Sequence, residues 1–278
     1  MGVSASALGD ATPEPTVESQ GPAIPRELSA SSFKFFLIWT GFFWGGVGVL
    51  GAFFFFGQLD FPTSTKLALY GISIWLNGWL LVFWRGQRQG RSKFDLYHDC
   101  LLIWMVSYAM TNVLWEIPWL ILSPVVFTDL ESLDDIIAHT DFMRANIFHM
   151  YWWVIAAFGS VDLRTVNHDP TFYSLEMFSF VNVASVLYFL HLNKKRSPYR
   201  YLIVVLGCGE PIAATFIFTF SEVFGGYANM AGGIADTLLA LVWTQYQYFV
   251  FPMIFGVWGF HLLREDLRRF DRREGGIA

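Results

Sequence analysis

DCLLIWMVSYAMTNVLWEIPWLILS, residues Asp99–Ser123, carries a single charged side chain, Glu116, between its ends. A helix needs about 20 apolar residues to cross the hydrocarbon core of a bilayer, and this stretch has that length and character. Five more stretches read the same way: Phe33–Gly57, Leu67–Trp84, Phe172–Leu192, Tyr201–Phe224 and Thr237–Leu263. The spacing therefore predicts an all-α integral membrane protein, with about six transmembrane helices in a bundle. A seventh stretch, Ala145–Gly159, is shorter and is flanked by Arg144 and Asp162.

Composition agrees. The chain is 54% hydrophobic and 15% charged, against about 25% charged in a typical soluble domain. A net charge of −5 gives no basic footprint for nucleic acid. Cys100 and Cys208 both lie in apolar runs, outside any CxxC or Cys/His array, which argues for small buried side chains and against disulfide or zinc chemistry. Gly45-Gly46-Val47-Gly48 sits in an apolar run, where small residues serve helix packing rather than phosphate binding. Residues 1–31, rich in Ser, Ala, Pro and Glu, read as a disordered tail rather than a signal peptide. The expected divisions are that tail, N-terminal membrane helices over 32–96, a membrane domain over 97–270 and a short tail over 271–278.

Lys and Arg gather in three places: Arg85, Arg88, Arg91 and Lys93; Lys194, Lys195, Arg196 and Arg200; and Arg264, Arg268, Arg269, Arg272 and Arg273. The positive-inside rule puts all three on the cytoplasmic side. The acidic run Asp129, Glu131, Asp134 and Asp135 then falls opposite, and the chain must cross an odd number of times before the second basic cluster. One crossing by Phe172–Leu192 suffices, so Ala145–Gly159 is expected to be interfacial or re-entrant. Its Tyr151, Trp152 and Trp153 suit an interface.

Ionisable groups at bilayer depth are expensive, so each calls for a reason. Tyr108, Asn112 and Glu116 are spaced four apart and share one helix face. Glu176 lies one turn into the fourth span, and Glu210 lies beside Pro211 near the middle of the fifth. Gln245 and Gln247, with Trp243, are in the sixth. Glu222 reads as interfacial and solvated, and His98, Asp99 and His261 as span-end residues. Trp115 and Trp119 flank Glu116, and packing is as good an account of them as ligand contact. An apolar pocket with few polar groups suits a hydrophobic ligand. An apolar setting disfavours a charged carboxyl, which can then hold a proton to donate, and aromatic faces stabilise a developing cation. The combination fits proton transfer on a lipid double bond, and equally an amine-binding site.

Asn112-Val113-Leu114-Trp115-Glu116, then Asp162-Leu163-Arg164, Asp169 and Glu176, then Ser197-Pro198-Tyr199-Arg200 and Tyr248-Phe249-Val250-Phe251 follow one another in an order that resembles the emopamil-binding protein family, the sterol Δ8–Δ7 isomerases and their EXPERA-domain relatives. The resemblance covers roughly residues 97–270, with the first span and the 145–159 region as additions. In that family a His-x-x-x-Glu pair and a second Glu move a proton across the sterol B ring. The resemblance implies that Glu116 and Glu176 hold the two carboxylate roles and that Asn112 stands at the His position. The family's last-helix Asn and Trp fall at Met253 and Gly256 here.

Three functions follow as expectations. One is an isomerase-like enzyme working on a sterol or other polycyclic isoprenoid double bond, with Glu116, Glu176 and Asn112 as catalytic residues and Tyr108, Trp115, Trp119, Glu210, Trp243, Gln245 and Gln247 around the substrate. The second is a non-catalytic sterol- or lipid-binding protein, and the third a membrane terpene cyclase. No metal or cofactor is expected. Partners would be a hydrophobic small molecule, membrane lipids and a second copy in a homodimer. The resemblance implies the endoplasmic reticulum in a eukaryote, and a bacterial chain would lie in the cell membrane.

Overall fold

The computed structural model describes residues 28–126 and 130–274, so most of the N-terminal tail, Asp129 and the last four residues lie outside it. Among the described residues no strand forms, and six helical stretches are long and apolar enough to cross a membrane. They are Ala30–Phe55, Phe61–Arg88, Lys93–Val125, Pro170–Lys194, Arg200–Phe224 and Ile234–Arg272, here called the first to sixth spans. The chain is thus a multi-pass integral membrane protein of the all-α class. Large apolar side chains such as Phe42, Ile121, Leu187 and Leu206 stay exposed on the outer faces, as a lipid-facing surface requires. The last helix continues to Glu274, into the stretch expected to be tail.

Local chemistry sets the helix starts. Ser29, Asp60, Ser92 and Asp169 each accept a backbone N–H of the first turn, leaving fewer orphan donors at those ends. Gly90, with φ at +67°, makes the turn between the second and third spans, in the left-handed region that glycine enters freely. Gly78 lets Trp39 close on the second span, since a Cβ there would stand 2.5 Å from the indole ring.

One end of the bundle is tied by buried polar contacts. Arg91 pairs with Asp99 at 2.7 Å, and Ser29 donates to the same carboxylate at 2.9 Å. His98 and Tyr201 are hydrogen-bonded at 2.9 Å. Arg200 reaches Asp266 at 2.9 Å and Asn193 at 3.1 Å. These contacts bring the three basic clusters to the same end, as the charge pattern requires. They also correct the reading of His98 and Asp99 as span-end interface residues: both are fully buried and tie elements together.

The opposite end is closed by a cap of short helices between the third and fourth spans, including Leu133–Ala138, Thr140–Arg144 and Met150–Ala156. Ala145–Gly159 does not cross the bundle. It folds as the Met150–Ala156 helix and a 3-10 turn, and its core-facing side is buried. Trp153, expected at an interface, is 2% exposed and donates Nε1–H to Ser64 at 2.9 Å. Arg144 donates to the carbonyls of Phe54 and Leu59, which binds the cap to the first loop.

Arg164 is the main clamp. Its guanidinium pairs with Asp162 at 2.6 Å and Glu222 at 3.3 Å, donates to the Phe218 carbonyl and lies 4.1 Å from the Phe218 ring centre. Burial pushes the Asp162 carboxyl above its ordinary range, against the pull of Arg164. Glu222 is therefore not solvated: it is 1% exposed and also accepts from Asn229. Its partner lies 58 residues upstream in another element, since 222 − 164 = 58.

Two outcomes check this arrangement. Arg164→Met leaves two carboxylates uncompensated and should cost about 3–5 kcal/mol of stability, read by denaturant unfolding in detergent. Single cysteines placed at Gln89 and Lys195 should react with a membrane-impermeant reagent from one side of sealed vesicles, and one at Asp134 from the other.

Candidate functional site

Five of the six spans depart from regular α-helix partway along. The second turns at Asn77, the fourth at Met177 and the fifth at Cys208. The third holds a π-helical turn at Asn112–Glu116 and the sixth another at Leu239–Trp243. At membrane depth, irregular backbone is tolerated only where protein buries it or it lines a cavity. Residues at or beside these breaks line one cavity: Leu76, Glu116, Glu176, Glu210 and Thr244.

The cavity holds about 150 Å³, room for about one ring of a larger ligand, and it is not closed on all sides. Its walls are mainly apolar and aromatic, with Trp44, Trp115, Trp153, Phe158, Phe172 and Phe218 among them. Among the described residues that line it none is Lys, Arg or His. Three carboxyls face it, and Glu116, Glu176 and Glu210 act on one another electrostatically.

The local geometry explains how they are held. A π-turn keeps residues four apart adjacent, so Asn112 donates Nδ2–H to Glu116 Oε2. Ser179 donates its hydroxyl to the same oxygen at 2.6 Å and lies 3.5 Å from Glu176 Oε2. One turn further, Asn182 donates to Tyr108 Oη at 3.0 Å and stands beside Glu210. Tyr248 packs its ring on Tyr108 at 5.4 Å, and Thr111 donates to the Tyr108 carbonyl at 2.8 Å. Ser179 thus connects carboxyls on the third and fourth spans, and Asn182 lines the cavity beside the third, Glu210. Neither is among the expected site residues; the available signal was spacing, with Ser179 three residues after Glu176 and Asn182 three after Ser179.

Most of the expected residues come together here. Glu116, Glu176, Glu210, Tyr108, Trp115, Gln245 and Gln247 line the cavity, and Asn112 stands directly behind Glu116. Trp119 and Trp243 do not. Trp119 is fully buried against Phe172 and Tyr173 and donates Nε1–H to the Thr165 carbonyl at 2.8 Å, so it is a brace between the third span and the cap. Trp243 is 39% exposed and packs on Tyr70 and Tyr246. No group of three His, Cys, Asp or Glu that could hold a metal ion occurs among the described residues.

The hydrogen bonding is incomplete at certain points. Among the described residues, Asn112 Oδ1, Glu210 Oε2 and Gln247 Oε1 are buried with no hydrogen-bond partner. Leaving a buried acceptor unpaired costs about 1–3 kcal/mol. The two indoles make different claims on stability and binding. Trp119→Ala should destabilise the protein by about 3–5 kcal/mol. Trp115→Ala, at a half-buried cavity wall, should change unfolding less while weakening retention of bound lipid, read by unfolding and by mass spectrometry of extracted lipid.

No family model, curated protein or solved structure matches the chain, so the reading of this site rests on its geometry.

Proposed function

We propose that this chain is a membrane isomerase-like protein that shifts a double bond in a sterol or other polycyclic isoprenoid by proton transfer, with Glu116 and Glu176 as the acid–base pair. The observation that carries the reading is the convergence of three carboxyls on one apolar, aromatic-walled cavity with no cationic side chain among its described lining residues. The resemblance of Glu116, Asp162, Arg164 and Glu176 to the emopamil-binding pattern points the same way.

The hydrogen bonds distinguish the two carboxyls. Glu116 accepts from both Asn112 and Ser179, and donors of that kind favour a carboxylate. Glu176 has only the longer Ser179 contact, which suits the proton-bearing partner. In the proposed step Glu176 gives its proton to one alkene carbon and the π pair forms the new C–H bond. The other alkene carbon becomes a carbocation. Glu116 then removes a proton from the carbon next to it, and that C–H pair becomes the new double bond. The proton now on Glu116 returns to Glu176 through the Ser179 hydroxyl, which lies between them. In the proposed step the aromatic walls, Trp115 and Phe158 among them, stabilise the cation by about 0.5–2 kcal/mol per ring face.

A second reading, ligand binding without turnover, is favoured by Asn112. An amide cannot exchange a proton as the family's imidazole does, although it can hold a carboxylate in place.

The test is turnover of 5α-cholest-8-en-3β-ol by the purified protein in D₂O. The shifted product should form, carrying deuterium at the protonated carbon in proportion to exchange of the Glu176 proton with solvent between events. Glu116→Gln and Glu176→Gln should each lower the rate by about 10²–10⁴-fold, the usual worth of a positioned acid or base. Bound sterol with no shifted product would favour the second reading. Unchanged rates in both variants would end the first.

A further inference from the structure

A second, shallow pocket lies apart from the carboxyl cavity, at the end of the bundle that carries the basic clusters. It opens between the start of the first span, at Ser31, Ser32 and Phe35, and the last turns of the Gly78–Arg88 helix, at Val82 and Arg85. Arg91 lines it from the turn that follows. Backbone geometry puts Arg91 there: Gly90 reverses the chain at a φ of +67°, and the Arg91 N–H donates to the Gly86 carbonyl at 3.2 Å.

The charges around this pocket do not cancel. Arg91 Nη1 is held by Asp99, Ser29 and Ser32 at 2.7, 3.1 and 3.2 Å, which occupies the Asp99 carboxylate. Asp95 is engaged as well, accepting the Ser92 hydroxyl at 2.7 Å. Arg85 is exposed and has no acidic partner among the described residues. Lys34, exposed and three residues from Ser31, adds a second cation on the facing helix.

The pocket also grades from charged to apolar toward the membrane centre. Val82, Arg85 and Gln89 share one helix face, with Val82 a turn deeper than Arg85. Phe35 lies a turn deeper than Ser31, and Ile38 and Phe42 continue its face at 63% and 72% exposed. Beside them Arg88 stacks on the half-exposed Trp84 at 4.0 Å, an arrangement suited to headgroup depth. The pocket holds about 10 Å³, close to what one water-sized group needs. It therefore admits a single oxygen of a larger group, whose remainder stays outside against Arg85.

We propose that this pocket seats the phosphate of an anionic phospholipid of the cytoplasmic leaflet, with Arg85 as its counter-ion and an acyl chain along Phe35, Ile38 and Phe42. A free phosphate would use the cations and leave the apolar floor unused. The surplus positive charge favours a net anionic headgroup over a zwitterionic one. The site is separate from the acid–base pair and does not rest on the isomerase reading.

The experiment is native mass spectrometry of the full chain in mild detergent with phosphatidylglycerol and phosphatidylcholine of identical acyl chains. One cation near an anionic lipid is worth about fivefold in binding. The wild type should prefer phosphatidylglycerol by at least that factor, and Arg85→Gln, at an exposed position, should lower the preference about fivefold. Arg91 also holds Asp99, so Arg85 carries the test. Arg268→Gln, an exposed cation at the same end on the sixth span, should leave the preference unchanged. Equal binding of the two lipids by the wild type overturns the proposal. So does an equal loss in Arg85→Gln and Arg268→Gln, which would show attraction to general surface charge. Displacement of phosphatidylglycerol by excess inorganic phosphate at constant ionic strength would show a plain anion site and also overturn it.

Discussion

Placing carboxyl groups at membrane depth is the constraint from which the rest of the structure follows. Bilayer hydrocarbon does not solvate them, and among the described residues no cationic side chain lines the cavity that holds them. The chain answers with short polar side chains: Asn112, from the same π-turn, and Ser179, from the fourth span, both donate to Glu116. The backbone answers as well. A π-turn at Asn112–Glu116, the break at Cys208 and the π-turn at Leu239–Trp243 flank the same space. A bundle of uninterrupted helices would present fewer of these groups to one point. The irregularities and the acids therefore belong together, and π-turns are frequent where helices carry function.

The cap completes the cavity and ties it to the rest of the fold. Trp153 and Phe158 come from the cap, and Phe218 from the fifth span. Arg164 joins these two parts through Asp162, Glu222 and the face of Phe218. A buried ion cluster of this kind is weak evidence for net stability, since desolvation offsets much of the attraction. The observed docking of the cap gives both carboxylates a cationic partner. Trp119, reaching the Thr165 carbonyl, fixes the third span to the same cap residues. The aromatic wall is thereby set relative to Glu116.

Much of this architecture was legible in the sequence because bilayer chemistry leaves broad marks. Six apolar runs gave six spans, and the basic clusters did fall at one end. Glu116, Glu176 and Glu210 stood out because an acid in an apolar run is rare and costly. The misses have a common physical cause, which is partnership across distant elements. Glu222 looked solvated at a span end because nothing nearby shows that Arg164 reaches it. Asp99 and His98 looked interfacial because Arg91, Ser29 and Tyr201 meet them only in the folded bundle. Trp153 fits an interface as well as an interior, and a fifteen-residue aromatic stretch does not say which. Trp119 and Trp115 are four residues apart on one helix, yet the cap claims one and the cavity the other. The π-turns had no readable signal, and Ser179 and Asn182 are ordinary residues until their carboxyl partners are placed beside them.

The most direct measurement is the identity of the lipid held by the intact protein. Purification in mild detergent, extraction and mass spectrometry would be applied to the wild type and to Ala214→Phe, which places a ring at the cavity wall. The account expects a sterol or other polycyclic isoprenoid in the wild type, strongly reduced in the variant, with bulk phospholipid the same in both. Phospholipid alone in both samples, from protein that unfolds normally, would contradict it.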